Sequence, residues 1–271
     1  MSDISHPVPA APDAAAAQPA TVALFVSDLH LQPEMPRTTQ AFLDFLAGPA
    51  RRTQQLYLLG DLFEAWAGDD DIDAPLHRRV VDALRAVADA GVTIFWIAGN
   101  RDFLIGPQFA AAAGLTLLPD PYPLTIAGHR IVLSHGDLLC TDDHRYMAFR
   151  AQVRQPQWQQ QALALPLERR KAIIVELRDG SRAEQRMKSA DIMDANDTAV
   201  AAMFDANDAE LMIHGHTHRP ARHVYPHPDG QRLRYVLPDW DCDTAPTRGG
   251  WLALRADGAL QGFDAGGQPS A

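Results

Sequence analysis

Short apolar runs rich in β-branched residues alternate along the chain with stretches of helical period. The runs predict strands over Thr21–Ser27 (TVALFVS), Gln55–Leu59, Val92–Ala98, Arg130–Ser134, Glu210–His214, Arg234–Leu237 and Trp251–Arg255. The helical stretches predict helices over Thr38–Ala47, Pro75–Ala90 and Pro107–Ala113. Thr38 is expected to cap the first and Gly91 to stop the second. Such alternation is α/β order. Residues 142–207 break it: they read as helices without a strand, punctuated by Pro156 and Pro166, and so as a helical insertion. The first 20 residues are Ala/Pro-rich and lack the basic and apolar regions of a secretory signal, so a disordered tail is expected there. Residues 263–271 are expected to form a second flexible tail. One domain over 21–262 remains, with the insertion inside it.

The polar residues that follow the strands are unusual. The first strand runs into Ser27-Asp28-Leu29-His30, the second into Gly60-Asp61, and the third into Gly99-Asn100-Arg101-Asp102. The fourth runs into Ser134-His135-Gly136-Asp137, and the fifth into His214-Gly215-His216-Thr217-His218. In α/β sheets, ligands collect outside the carboxyl ends of strands. Asp28, His30, Asp61, Asn100, His135, His216 and His218 should therefore meet along one edge. Two carboxylates, one amide oxygen and four imidazoles exceed a single tetrahedral site. They suit two divalent ions about 3.5–4 Å apart with a bridging carboxylate. Mixed nitrogen and oxygen ligation without thiolate favours Mn²⁺, Fe²⁺ or Zn²⁺ over Ca²⁺ or structural zinc. Each piece alone is a weak signal; all five, in this order and each after a strand, are a strong one.

Composition changes the picture in two places. The chain has 271 residues and a net charge of −10, which argues against a nucleic-acid binder. An acidic protein is also an unexpected partner for an anion. Yet residues 145–188 carry a local balance of +6, leaving −16 for the rest, so positive charge is concentrated in the insertion. Two cysteines, Cys140 and Cys242, form no disulfide framework and suit a reducing compartment. No apolar run reaches the roughly 20 residues of a membrane span. Asp69–Asp71 reads as a solvated acidic loop, Asp239–Asp243 as an acidic turn, and His77 as a surface histidine. Asp102 reads as a residue that orients the ligands, and His214 as a buried structural one.

The order Asp28-x-His30, Gly60-Asp61, Gly99-Asn100, His135, Gly215-His216-x-His218 resembles the calcineurin-like metallophosphoesterases. The fold implied is an α/β two-sheet sandwich flanked by helices, here with a helical lid over 142–207. Most members of that family read Gly-Asn-His-Asp at the third motif, where this chain has Arg101. That change, with GDLFEAWAGDD at Gly60–Asp70, GNRDFL at Gly99–Leu104, HGDLLCTDD at His135–Asp143 and HGHTHRPA at His214–Ala221, resembles a branch of the family. Its members cut the pyrophosphate of an acylated nucleotide sugar in lipid A synthesis. The likeness spans roughly Val22 to Arg255.

The resemblance implies two Mn²⁺ ions. One would take Asp28, His30, Asp61 and His218; the other would take Asp61, Asn100, His135 and His216. Catalytic roles are implied for Asn100, Arg101 and His135. Substrate contacts are implied for Asn100, Arg101, Asp143, Ser181, Gln185, Lys188 and His216, with Gln185 a departure from the Asn expected there. The implied partners are a nucleotide-sugar lipid and the cytoplasmic face of the inner membrane, bound peripherally, with no nucleic acid. A monomer is expected. The apolar stretches Trp158–Leu167 and Ala172–Leu177 either pack within the insertion or receive acyl chains. Two other readings stay open. One is a phosphoesterase for a different nucleotide diphosphate or phosphodiester. The other is a non-catalytic scaffold, against which stands the retention of all seven ligands.

Overall fold

The computed structural model describes residues 20–185, 194–228 and 230–270, apart from the side chains of 179–185. Among the described residues, twelve strands form two sheets. The first sheet joins β1 (Thr21–Val26), β2 (Gln55–Leu58), β3 (Thr93–Ile97) and β4 (Leu115–Leu118) in parallel. On the far side of β1, β10 (Gly250–Arg255), β11 (Leu260–Asp264) and β12 (Pro269–Ser270) run antiparallel. The second sheet has the order β5 (Tyr122–Ile126), β6 (His129–Leu133), β7 (Leu211–His214), β9 (Gly230–Val236) and β8 (Ala221–His227). β6, β7 and β9 are mutually parallel.

The period of two in β1 explains the layering. Ala23 and Phe25 face the core between the sheets, with Tyr57, Ile97, Ile131, Leu133, Leu211 and Ile213. Leu24 and Val26 face the opposite way, into a core under α1 (Pro36–Ala47), α2 (Pro75–Asp89) and α3 (Pro107–Ala113). A strand apolar on both faces is buried on both faces. The insertion supplies α4 (His144–Val153), α5 (Pro156–Leu163) and α6 (Leu167–Gln185), then α7 (Asp197–Ala206), which packs Val200 and Phe204 on the outer face of the second sheet.

Several expectations need correction. Thr38 does not cap α1, which starts at Pro36 behind Met35. The cap comes from 205 residues away: the Asp243 carboxylate accepts from Arg37 N at 3.1 Å, from Thr38 N at 2.8 Å and from Thr38 Oγ1 at 2.8 Å. Residues 263–270 are not a loose tail, because Gly262 pairs with Ser270 and Phe263 with Pro269. Asp69–Asp71 is not a solvated loop. Asp69 caps α3, accepting from Gly106 N, Gln108 N and Phe109 N at 3.0 Å each, and from Trp66 Nε1 at 3.2 Å. His77 is half-buried against Phe63 and Trp66, with ring centroids 4.8 and 4.6 Å apart. Burial pushes its pKa below the usual histidine value.

Asp69→Ala should therefore destabilise the fold by about 1–3 kcal/mol, the cost of uncovering helix-end donors beside a buried aromatic cluster. A lowered denaturant midpoint would show it; an unchanged midpoint would contradict the capping role.

Candidate metal centre

All seven predicted ligands come together at the carboxyl ends of β1, β2, β3, β6 and β7. Backbone pairing fixes the turns against one another: Asp28 N donates to Gly60 O at 3.1 Å, His30 N to Asp61 O at 2.9 Å and Gly215 N to His135 O at 2.9 Å. His30 Nε2 and His218 Nε2 lie 3.2 Å apart. They are 3.9 and 3.4 Å from Asp28 Oδ1. On the other side, Asn100 Oδ1 is 2.9 Å from both His135 Nε2 and His216 Nδ1. Asp61 faces both groups, with Oδ2 3.7 Å from His30 Nε2 and Oδ1 3.7 Å from His135 Nε2. The geometry thus has two halves, with Asp61 facing both and Asp28 also grouped both with His30 and His218 and with Asp61 and His135.

Local backbone conformation serves this convergence. Among the described residues, seven non-glycines have left-handed φ, and five of them are Asp28, His30, Asp61, His216 and His218. Such positions are sparsely populated and gather at functional sites. Two glycines permit the close approach. A Cβ on Gly99 would lie 2.1 Å from Asp61 Oδ1, and one on Gly215 would lie 2.0 Å from Asp28 Oδ2.

The donor set fits divalent cations. Asp28 is fully buried; its Oδ2 accepts from Ser27 Oγ and His216 N, but Oδ1 has no hydrogen-bond partner among the described residues. A buried carboxylate oxygen left that way, among four imidazoles and a second carboxylate, suits a cation beside it. Burial alone would raise the Asp28 pKa, yet the imidazoles of His218, His135 and His30 hold it well below the carboxylate range. The group is therefore an anion, aimed into the space between the ligands.

Other side chains hold the ligands. Asp102 is fully buried and accepts from Leu62 N at 2.7 Å and Gly99 N at 3.1 Å, tying the turns after β2 and β3 together. Burial and the neighbouring Asp61 push its pKa up to about 6. His214 is buried, with Nδ1 2.9 Å from Gly215 O and Nε2 3.1 Å from Arg234 Nη1. Arg101 N donates to Asp61 Oδ1 at 2.8 Å, and its Nε is buried without a hydrogen-bond partner among the described residues. Asp143 caps α4, accepting from Tyr146 N at 3.1 Å. The side chains of Ser181 and Gln185, and all of Lys188, lie outside the described residues.

Sequence reasoning missed two carboxylates. Glu64 Oε2 lies 2.9 Å from His30 Nδ1. Its signal was only its place in the turn that carries Asp61. Asp137 accepts from Tyr146 Oη at 2.6 Å and Arg150 Nε at 2.8 Å, anchoring α4 beneath the site. The charge geography also changes. Of the basic residues in the insertion, Arg150 and Arg154 approach Asp137, Arg170 pairs with Asp70, Lys171 with Asp71 and Arg178 with Glu64. Half of the insertion's ten cationic side chains thus pair with carboxylates outside the insertion.

Comparison with known proteins agrees with this geometry. Residues 22–220 match the family described as calcineurin-like phosphoesterase. A protein of Aromatoleum aromaticum named UDP-2,3-diacylglucosamine hydrolase is 49% identical over 237 residues, 88% of this chain and 94% of the relative. Proteins of the same name from Bordetella parapertussis and Escherichia coli are 48% and 47% identical, covering 88% and 86% of this chain and 93% and 95% of theirs. The matched span contains every candidate ligand from Asp28 to His218, and with identity near one half along almost the whole of each relative, the chain belongs to the calcineurin-like phosphoesterase family.

Proposed function

We propose that this chain hydrolyses the pyrophosphate of UDP-2,3-diacylglucosamine, releasing UMP and 2,3-diacylglucosamine 1-phosphate in lipid A biosynthesis. The observation that carries the reading is the convergence of Asp28, His30, Asp61, Asn100, His135, His216 and His218, in a chain nearly half identical to relatives bearing that enzyme's name. Asp28, His30, Asp61 and His218 would hold one Mn²⁺, and Asp61, Asn100, His135 and His216 the other. Bound there, the two ions supply about four positive charges to a pyrophosphate and bring the pKa of a water toward neutrality. Attack falls on the phosphorus nearest uridine.

The chain's own residues do the rest. Asn100 stands between His135 and His216 and fixes the spacing of that half of the site. Arg101 offers a guanidinium for the pyrophosphate oxygens and for the departing phosphate. A guanidinium does not act as an acid near neutral pH, but it binds phosphate through two parallel hydrogen bonds. A sugar phosphate leaves without prompt protonation, which an alkoxide would need. Arg101 therefore suits a pyrophosphate better than a simple phosphodiester. Asp143, Ser181, Gln185, Lys188 and His216 complete the substrate contacts.

The acyl chains need apolar surface. Leu163, Leu165, Val175 and Leu177 of the insertion are 39–59% exposed. That supports the insertion as an acyl-receiving lid and as a peripheral attachment to a membrane surface. With it goes the reading of a monomer at the cytoplasmic face of the inner membrane. No helix among the described residues is long and apolar enough to cross a membrane.

The test is UMP release from UDP-2,3-diacylglucosamine, beside a CDP-alcohol and ADP-ribose. Turnover of the acylated substrate is expected to stop with chelator and return with Mn²⁺. Preference for either of the other substrates would instead support a different nucleotide-diphosphate hydrolase.

A further inference from the structure

His30 is held from behind by a residue that is itself held by the insertion. Its Nδ1 lies 2.9 Å from Glu64 Oε2, which leaves Nε2 facing Asp61 and Asp28. Glu64 is fixed by backbone pairing of the two ligand turns: Leu31 N donates to Leu62 O at 3.0 Å and Glu64 N to Leu31 O at 3.1 Å. The other carboxylate oxygen, Oε1, accepts from Arg178 Nη1. Arg178 stands on α6, 114 residues further along the chain. Both side chains are largely withdrawn from solvent, at 18% and 13% exposure. Burial would raise the Glu64 pKa, but the His30 hydrogen bond and the Arg178 charge outweigh it and hold it down at about 2.

We infer that Glu64 is a positioning residue for His30, and that Arg178, acting through Glu64, couples the placement of α6 to occupancy of the metal position made by Asp28, His30, Asp61 and His218. The inference rests on reading those four residues as a metal site. An imidazole that donates its Nδ1 proton to a carboxylate presents Nε2 as a lone pair in a fixed direction and with greater basicity. A carboxylate gripped by a guanidinium on its far oxygen cannot rotate away. Asp28, Asp61 and His218 sit on turns of the core, whereas this line of contacts leads from a ligand of that half to α6. Linkage is reciprocal: if the placement of α6 strengthens ion binding, ion binding must strengthen the placement of α6 to the same extent.

The experiment titrates Mn²⁺ into the metal-stripped full chain, reading free Mn²⁺ by electron paramagnetic resonance, without substrate. Wild type should bind two ions. Glu64→Gln, nearly isosteric, should weaken one of them about 10- to 100-fold. Arg178→Ala should weaken the same ion several-fold, and Arg178→Lys less. Adding Arg178→Ala to Glu64→Gln should cause little further loss, because both remove one line of contacts. Lys171→Ala, which breaks the neighbouring 2.7 Å pair of α6 with Asp71, should leave both affinities unchanged. Hydrogen exchange supplies the reciprocal reading: Mn²⁺ should slow amide exchange in α6 of wild type but not of Arg178→Ala. Normal wild-type binding with unchanged affinities in Arg178→Ala, or with additive losses in the double variant, overturns the inference alone. A wild type that binds no Mn²⁺ overturns the metal reading together with it.

Discussion

Asp61→Asn is expected to lower UMP release by at least about 10²- to 10³-fold, the scale on which losing one preorganised charge contact slows turnover. The reason is its position. Each Asp61 oxygen lies 3.7 Å from an imidazole of a different half of the site, so removing its charge weakens both halves at once. Asn keeps the shape and tolerates the left-handed backbone at this position, where φ is 53°. The loss should therefore appear in metal content, with dialysed protein retaining fewer than two Mn²⁺, while the melting temperature of the apoprotein stays near that of wild type. Near-normal turnover in this variant would overturn the role of Asp61 between the two halves; absence of turnover in wild type would revive the scaffold reading.

Arg101→Ala makes the complementary case. Its backbone N–H holds Asp61 Oδ1, and that contact survives any side-chain change. Both Mn²⁺ should therefore still bind. What is lost is the guanidinium, whose buried Nε has no hydrogen-bond partner among the described residues. Turnover should fall about 10²- to 10³-fold, with kcat reduced more than KM is raised, since the charge matters most as the sugar phosphate departs. Lys should restore little, because a point charge does not reproduce a planar pair of donors. Loss of metal along with activity would overturn this assignment.

The convergence of the candidate ligands was legible in the sequence because each sits in a short motif directly after a strand, and the strands announce themselves. β1, β3 and β7 are continuous apolar runs buried on both faces. β8 was hidden: ARHVYPH alternates polar and apolar residues at a sheet edge and contains Pro226. β5 carries Pro123 and sits at the opposite edge. Long-range caps left no local trace. Nothing near Thr38 points to Asp243, and nothing in Asp69–Asp71 points to the backbone of α3. The basic insertion read as a surface for anions because charge counts carry no partners. Folding assigned Arg150, Arg170, Lys171 and Arg178 to core carboxylates first. Glu64 escaped notice for the same reason, since its role exists only once His30 and Arg178 have been brought to it.

The left-handed backbone at Asp28, His30, Asp61, His216 and His218 bears on how such a centre can be dissected or rebuilt. Asp, Asn and His enter that region far more readily than alanine, which is disfavoured there by roughly 1–2 kcal/mol. An alanine scan would thus report two quantities at once, the lost ligand atom and a misfit turn, and would overstate the first. Asp→Asn exchanges at Asp28 and Asp61 separate them, and at the three histidines a switch to Asn does the same. The same preference narrows the alphabet available to drift: a lineage that lost the metals would be expected to fill these five positions with Asn or Gly, so that the scar of the old turn outlives the chemistry.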